Sequence, residues 1–295
     1  MDKYLIHVGT QDLPGLLWEL ELFHFSFTRN VFSFTGNYEA LYSVALARGA
    51  SEPSAHLKRL MDKLPIQITP DYGDAFGGYI GENNKYFSAL NHVVDKLDGR
   101  HLVIVDSDIL LLPLFKQLFI LEHDSLLAFE VNSIHRVRVP GFIRWYNQHY
   151  GTNIPVEFCV VAPSLIIRSE FAGRFLREYL AVIEAAPDIE PGNHPKRRKD
   201  FKRSATMCAK GALTAHHGYK VNYIKQFLAN DMAAESRDEI VQNYANLHYY
   251  AKCKRFDKRD YATHPPFGIT PPEGKYDASR FVWETIKEYE QHGRY

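Results

Sequence analysis

The sequence predicts an α/β fold built on a mostly parallel sheet, and three observations predict it. Between residues 4 and 105, apolar runs of strand length alternate with amphipathic stretches of helix length, the pattern of successive βαβ units. The run LVIV at 102–105 contains no polar residue, as suits a strand covered on both faces. It stops abruptly at Asp106-Ser107-Asp108, and apolar residues resume at Ile109. Two carboxylates two residues apart on extended chain point to the same side. Burying both is costly unless a cation or hydrogen-bond donors meet them. The pair therefore reads either as a divalent-metal site at the carboxyl end of a central strand, where open α/β sheets bind ligands, or as an acidic turn in water.

Taken in order, residues 4–8 (YLIHV) read as an opening strand. Pro14 suits the first turn of a helix, with Gln11 or Asp12 ahead of it as a cap. Leu16, Leu17, Leu20 and Phe23 follow at helical spacing. Residues 31–34 (VFSF) read as a second strand, 38–48 as a helix stopped by Gly49, 54–64 as another helix and 65–69 (PIQIT) as a third strand. The glycine-rich stretch 75–83 matches neither a dinucleotide-binding fingerprint nor a P-loop. Residues 84–98 form a helix with Phe87, Leu90, Val94 and Leu97 on one face, and it delivers the chain into 102–105. Beyond Pro113 the pattern gives a short helical stretch, a strand at 126–130, a polar and aromatic loop over 132–153, and a strand over 158–167. A helix capped by Ser169 runs to Ala186. A linker at 188–199 follows, then a helix over 200–217 ended by Gly218, a strand at 221–227 and a last helix at 278–291.

Composition bounds the function. The chain has 295 residues, 45% hydrophobic and 24% charged, enough for a full-sized core. Lys+Arg and Asp+Glu both number 35, which argues against a general nucleic-acid binder, whose affinity rests on cationic excess. Cys159, Cys208 and Cys253 have no paired spacing; this is neither a disulfide framework nor a zinc cluster and fits a reducing compartment. No stretch reaches the roughly 18 apolar residues of a membrane span. The expectation is a soluble, cytoplasmic chain, compatible with an anchor outside the stretch given.

Phosphatases of the haloacid dehalogenase type also carry Asp-x-Asp after a strand. There the pair lies on the first strand with Thr just after it; here it comes on the fourth predicted strand and is followed by Ile109-Leu110. A metal-dependent sugar or nucleotide transferase fits better, because a metal between two carboxylates and a diphosphate offsets the charge on the leaving group.

With these residues the chain resembles glycosyltransferases of the GT-A type: βαβ units leading to an apolar strand and VDSD. A finer likeness covers about 60–115, in ITPDYGD, NNKYFSALNHVVDKL and HLVIVDSDILLLP. It is similar to the plant peptidyl-serine galactosyltransferase and hydroxyproline O-arabinosyltransferase group, although Asn84-Lys85 is followed here by Tyr86 rather than Pro. The resemblance implies a GT-A-like, Rossmann-like, mostly parallel sheet flanked by helices, with a C-terminal extension closing over the donor site. It implies a single domain over 1–295, with a nucleotide-sugar-binding half (1–115), an acceptor half (116–229) and the extension (230–295). It implies a hexosyl- or pentosyltransferase using Mn²⁺ or Mg²⁺, a nucleotide-diphosphate sugar (a UDP-sugar first) as donor, and a glycan or peptide hydroxyl as acceptor.

The same resemblance assigns roles. Asp106 and Asp108 hold the metal, with His248 as third ligand, since a neutral imidazole suits Mn²⁺ beside two carboxylates; the other reading of His248 is one of 14 histidines, packed beside two tyrosines. Thr10, Gln11, Asp71 and Tyr72 end strands where base and ribose bind, and all are also ordinary turn residues. Lys85 is a candidate for a phosphate, and Ser107 lies between the two carboxylates. Lys252, Lys254, Arg255, Lys258 and Arg259 follow His248 and are candidates to neutralise the diphosphate, with Lys254 taken as the donor-binding one. A second basic run, 196–199, reads as a solvated face. Asp200, at a helix start, is the candidate general base and equally a cap; in a retaining enzyme Glu157 or Asn153 faces the sugar instead. Trp145 and Tyr146 line an acceptor site or pack on the core. Two other functions stay open: a sugar nucleotidyltransferase, though Gly9-Thr10-Gln11-Asp12 lacks the glycine- and basic-rich loop this needs, and a non-catalytic nucleotide-sugar or glycan binder on a transferase scaffold.

Overall fold

The structure is a computed structural model that describes residues 3–32, 37–72, 80–120, 126–129, 139–156, 165–187, 201–219, 221–224, 227–229, 233–249 and 255–293. In chain order its elements are β1 (Tyr4–Gln11), α1 (Pro14–Asn30), β2 (Tyr38–Ala45), α2 (Ala55–Met61), β3 (Ile66–Thr69), α3 (Ile80–Ser88), β4 (His101–Val105), β5 (Ile109–Leu111), β6 (Leu126–Phe129), α4 (Val139–Tyr150), β7 (Leu165–Ile167), α5 (Ser169–Ala185), α6 (Phe201–His217), β8 (Val221–Ile224), β9 (Phe227–Ala229), α7 (Arg237–Asn243), β10 (Asn246–His248) and α8 (Ala278–His292). Single turns of other helix types follow α3, and a 3₁₀ stretch spans Pro113–Ile120. The chain divides into two compact units: Met1–Pro70 with Val105–Glu122 and Gln226–Tyr295, and Asp71–Ile104 with His123–Lys225.

In the first unit β3, β2 and β1 pair in parallel, with β1 and β2 in register from Tyr4↔Tyr38 to Gln11↔Ala45. A second, small sheet has β10 between β5, to which it is antiparallel, and β9, to which it is parallel. Helix α1 is buried almost all round, including Glu19 and Glu21, which marks it as a central helix rather than a surface one. Its Trp18, Leu22 and Phe25 share one core with Leu110, Leu247, Tyr249, Phe256 and the Phe281–Trp283–Ile286–Tyr289 face of α8. Gly15 is required where α1 begins, because a Cβ there would stand 2.7 Å from the Ala262 carbonyl oxygen. In the second unit β4 and β6 both pair antiparallel with β7, and β6 pairs parallel with β8. Helices α5 and α6 are tied by the Tyr179 hydroxyl, which donates to the Thr206 carbonyl at 2.7 Å. The main sheet is thus mixed and mostly parallel, with helices flanking it, as expected for an α/β fold.

Several local expectations are corrected. The segment 38–48 is strand β2, not a helix: Tyr38, Tyr42 and Val44 are buried, and a spacing of four serves a strand face as well as a helix face. Val31 closes α1 instead of opening a strand, and residues 33–36 lie outside the described residues. The stretch 132–153 is not all loop; α4 occupies Val139–Tyr150. Its Pro140 stands in the first turn, where proline costs no hydrogen bond. Phe142, Ile143 and Tyr146 are buried at helical spacing. Neither Gln11 nor Asp12 caps α1; Leu13 is at that position with no side-chain cap, and Asp12 instead accepts from the Ser54 amide (2.7 Å) and hydroxyl (2.6 Å), the cap of α2. Arg168, not Ser169, holds the cap position of α5. The 221–227 strand is two strands in two sheets, β8 and β9.

His24, on α1, is half-buried with its Nδ1 2.7 Å from the Tyr42 hydroxyl. Burial pushes its imidazole down to about 4 from the usual 6.5. Between those values the unfolded chain holds the proton and the folded chain does not. Stability is therefore lost as pH falls through this window, by roughly 1 kcal/mol per pH unit. Urea melts at pH 7, 6 and 5 should give a His24→Asn variant a flatter pH dependence than wild type; equal slopes would contradict the account.

Candidate metal centre

The site follows from one register. After β4 the chain turns at Asp106-Ser107-Asp108 and re-enters a strand as β5. Antiparallel pairing sets Ile109 opposite His248 and Leu111 opposite Asn246. The ladder continues one step further, where the Tyr249 amide donates to the Asp108 carbonyl at 3.0 Å. A histidine some 140 residues away is thereby fixed beside the acidic turn. Ligand atoms of Asp106, Asp108 and His248 all lie within 4.8 Å of one another, with Asp108 buried and the other two partly exposed. The pair sits in a turn rather than on extended chain, yet the two carboxylates still converge.

The donor set fits a divalent cation. Cis ligands at about 2.1 Å from such an ion stand roughly 3 Å apart, and Asp108 Oδ1 and His248 Nε2 are 3.1 Å apart. Two carboxylates with an imidazole suit Mn²⁺. Ligation requires neutral imidazole, so a metal and a proton on His248 Nε2 exclude each other.

Around this centre the charges are tightly arranged. Lys258 Nζ lies 2.5 Å from Asp108 Oδ2 and 3.3 Å from Glu19 Oε1. The Ser107 hydroxyl donates to Glu19 Oε2 at 2.8 Å. Burial by itself would raise the Asp108 carboxyl, but His248 and Lys258 outweigh it and hold the group below the ordinary carboxylate range. Burial opposes the Lys258 ammonium, and Asp108 and Glu19 together raise it above the usual lysine range. His248 is raised too, against its burial, chiefly by Asp108. Burial pushes Glu19 up to about 7; Lys258 and Ser107 work the other way.

Lys258 is held in place by aromatic packing. Phe256 stacks on Tyr261 with centroids 5.4 Å apart and meets Trp283 edge-on at 5.2 Å. Trp18 stacks on Tyr249 at 5.9 Å, and its indole N–H donates to the Tyr261 carbonyl at 3.2 Å. The Trp283 indole donates to the Arg255 carbonyl at 3.0 Å. The segment carrying Lys258 is thus clamped between α1 and α8.

The remaining sequence candidates are placed as follows. Thr10 and Gln11 are buried at the end of β1, in the first unit. Asp71, Tyr72 and Lys85 belong to the second unit. Asp71 accepts from the Asn84 side-chain amide at 3.2 Å, and Tyr72 stacks on Phe87 at 5.1 Å with its hydroxyl 2.9 Å from His92 Nε2. Lys85 is buried within α3 with its ammonium over the Tyr86 ring. Trp145 and Tyr146 are buried in α4, in contact with Phe142. Glu157, Asp200, Lys252, Lys254 and the 196–199 run lie outside the described residues. Sequence reasoning named Lys258 only as one of five cations and missed Glu19. The signal for Glu19 is an acid between Trp18 and Leu20, followed two residues on by Glu21, inside an otherwise apolar stretch.

No family model and no curated protein matches the chain. Solved structures do match it. The galactosyltransferase LgtC, in complex with donor and acceptor sugar analogues, superposes with a TM-score of 0.55 at 16% identity over 96% of this chain and 95% of that one. An active-site mutant of LgtC gives 0.51 at 14% identity, over 98% and 99%. The apo bifunctional glycosyltransferase WbbM gives 0.53 at 11% identity over 98% of this chain and 51% of its own, so this chain spans about half the length of WbbM. At these identities the likeness shows the fold, which is the GT-A type. It lends no support to the finer plant likeness. Among the described residues no helix is long and apolar enough to cross a membrane.

Removing Asp108 takes the nearest acid from the half-buried Lys258 ammonium and leaves it only Glu19. Asp108→Ala should cost about 2–3 kcal/mol in chemical denaturation without added metal. Asp106→Ala, at a partly exposed position, should cost less than about 1 kcal/mol. Equal losses for the two would contradict the geometry.

Proposed function

We propose that this chain is a metal-dependent glycosyltransferase that moves a sugar from a nucleotide-diphosphate donor, a UDP-sugar first, to a hydroxyl of a glycan or peptide. The observation that carries the reading is the convergence of Asp106, Asp108 and His248 at the turn after a buried strand, on a fold shared with glycosyltransferases. These three residues would hold Mn²⁺ or Mg²⁺, which when bound offsets the charge that develops on the diphosphate leaving group.

The chain's own groups do the rest. Cations after His248, Lys254 among them, neutralise the diphosphate as its bond to the sugar breaks and the acceptor oxygen bonds to the sugar in its place. Thr10, Gln11 and Ser107 are the donor-binding candidates of the first unit, and Asp71, Tyr72 and Lys85 those of the second. Asp200 takes the proton of the acceptor hydroxyl in an inverting reaction; in a retaining one Glu157 faces the sugar and no such base is needed. The metal-bearing acids are on the donor side in either case, so stereochemistry does not alter their role.

A panel of nucleotide sugars screened by thermal shift with Mn²⁺ tests this. The matching donor should stabilise the protein by about 2–3 kcal/mol near a hundredfold excess over its Kd, only with Mn²⁺ present. Slow release of the free nucleotide without acceptor would mark an enzyme rather than a binder. Asp106→Asn should remove the Mn²⁺ dependence while the fold is kept. Donor binding that survives both chelation and this substitution would sink the proposal.

A further inference from the structure

Glu19 takes no part in the reaction just described, yet it is among the most completely buried acids of the first unit, with 2% of its surface exposed. Its two oxygens are divided: Oε2 accepts from the Ser107 hydroxyl at 2.8 Å and Oε1 meets Lys258 Nζ at 3.3 Å. Asp108 is divided in the same way. Its Oδ1 lies 3.1 Å from His248 Nε2 and its Oδ2 lies 2.5 Å from Lys258 Nζ. Ser107 and Asp108 are chain neighbours, so the path from Ser107 to Glu19 to Lys258 to Asp108 closes into a ring. The Tyr249 amide and hydroxyl brace the same two residues, donating to the Asp108 carbonyl at 3.0 Å and the Ser107 carbonyl at 3.4 Å.

A carboxylate free to rotate about its last bond offers either oxygen to a cation. In this ring Lys258 occupies Oδ2 and leaves Oδ1, the oxygen on the His248 side. We infer that Glu19 is a positioning residue of the metal centre: through Lys258 on one side and Ser107 on the other, it fixes which oxygen Asp108 presents to a divalent cation. Groups that orient metal ligands from behind in this way set affinity without touching the ion. The inference rests on the metal-centre reading given under the proposed function. It adds residues from a helix and from the C-terminal extension that the acidic motif does not contain.

Titration of Mn²⁺ alone, followed by the electron paramagnetic resonance of the free ion, tests it. Glu19→Gln, Ser107→Ala and Lys258→Met should each raise the Mn²⁺ dissociation constant by about 10- to 100-fold. Because the three act through one ring, the double variant Glu19→Gln/Lys258→Met should bind no more weakly than the worse of its single variants. Ser107→Ala removes one hydroxyl and leaves both charges, so it reports on positioning even where Glu19→Gln folds poorly. Dissociation constants within twofold of wild type, with only the denaturation midpoint lowered, would make the ring a fold strut and overturn the inference. Tighter binding in Lys258→Met would overturn it as well, by showing Lys258 to be a competitor of the ion. A wild-type chain that binds no Mn²⁺ would instead overturn the metal-centre reading itself, and the inference with it.

Discussion

The buried carboxylate of Asp108 is the constraint on which the first unit depends. A charge of this kind is tolerated in a protein interior only with close compensation. Here the compensation comes from His248 on one oxygen and Lys258 on the other, both supplied by the chain's last fifty residues. That requirement explains why the C-terminal segment is packed so firmly. Strand β10 must pair with β5 to bring in His248. The aromatic clamp of Trp18, Phe256, Tyr261 and Trp283 must hold the turn that carries Lys258. Even Gly15 follows, since the chain at Ala262 approaches α1 too closely for a Cβ. The extension is therefore part of the site's scaffold as much as of the core.

Much of the site was legible in the sequence. An apolar run stopped by VDSD fixed both the strand and the two acids, because few structures explain four apolar residues ending in two carboxylates. His248 was legible as a candidate by its chemistry and its place before a basic tail. Its partner strand was not, since Asn246–His248 is too short to show a period and gains its identity only from pairing with β5. Glu19 was hidden because helical periodicity scores the apolar members of a stretch and treats a single acid as a solvent-facing one. Lys258 was one cation in a run, and only the clamp around Phe256 and Tyr261 selects it. The helix at 139–150 was obscured by the low periodicity of the polar and aromatic stretch 132–153, and Pro140-Gly141 begin its first turn. The segment 38–48 was read as a helix stopped by Gly49; Tyr38 and Tyr42 share a face in either element, and parallel pairing with β1 makes it strand β2.

The chemistry of the centre also bounds what it specifies. Two acids and an imidazole would suit a divalent cation, and through it a polyanionic ligand fragment such as the diphosphate of the proposed donor. Nothing in that set is specific for a sugar ring or an acceptor. Those choices fall to residues elsewhere on the fold, and folds of this type serve many sugars and acceptors by varying such residues around a constant core.

The most direct test of the central claim is anomalous diffraction from crystals grown with Mn²⁺ and UDP. The account predicts one manganese peak bonded to Asp106, Asp108 and His248 Nε2, with a diphosphate oxygen on its open side and Lys258 still on Asp108 Oδ2. UDP bound with no manganese at these three residues, or manganese bound elsewhere, would contradict it.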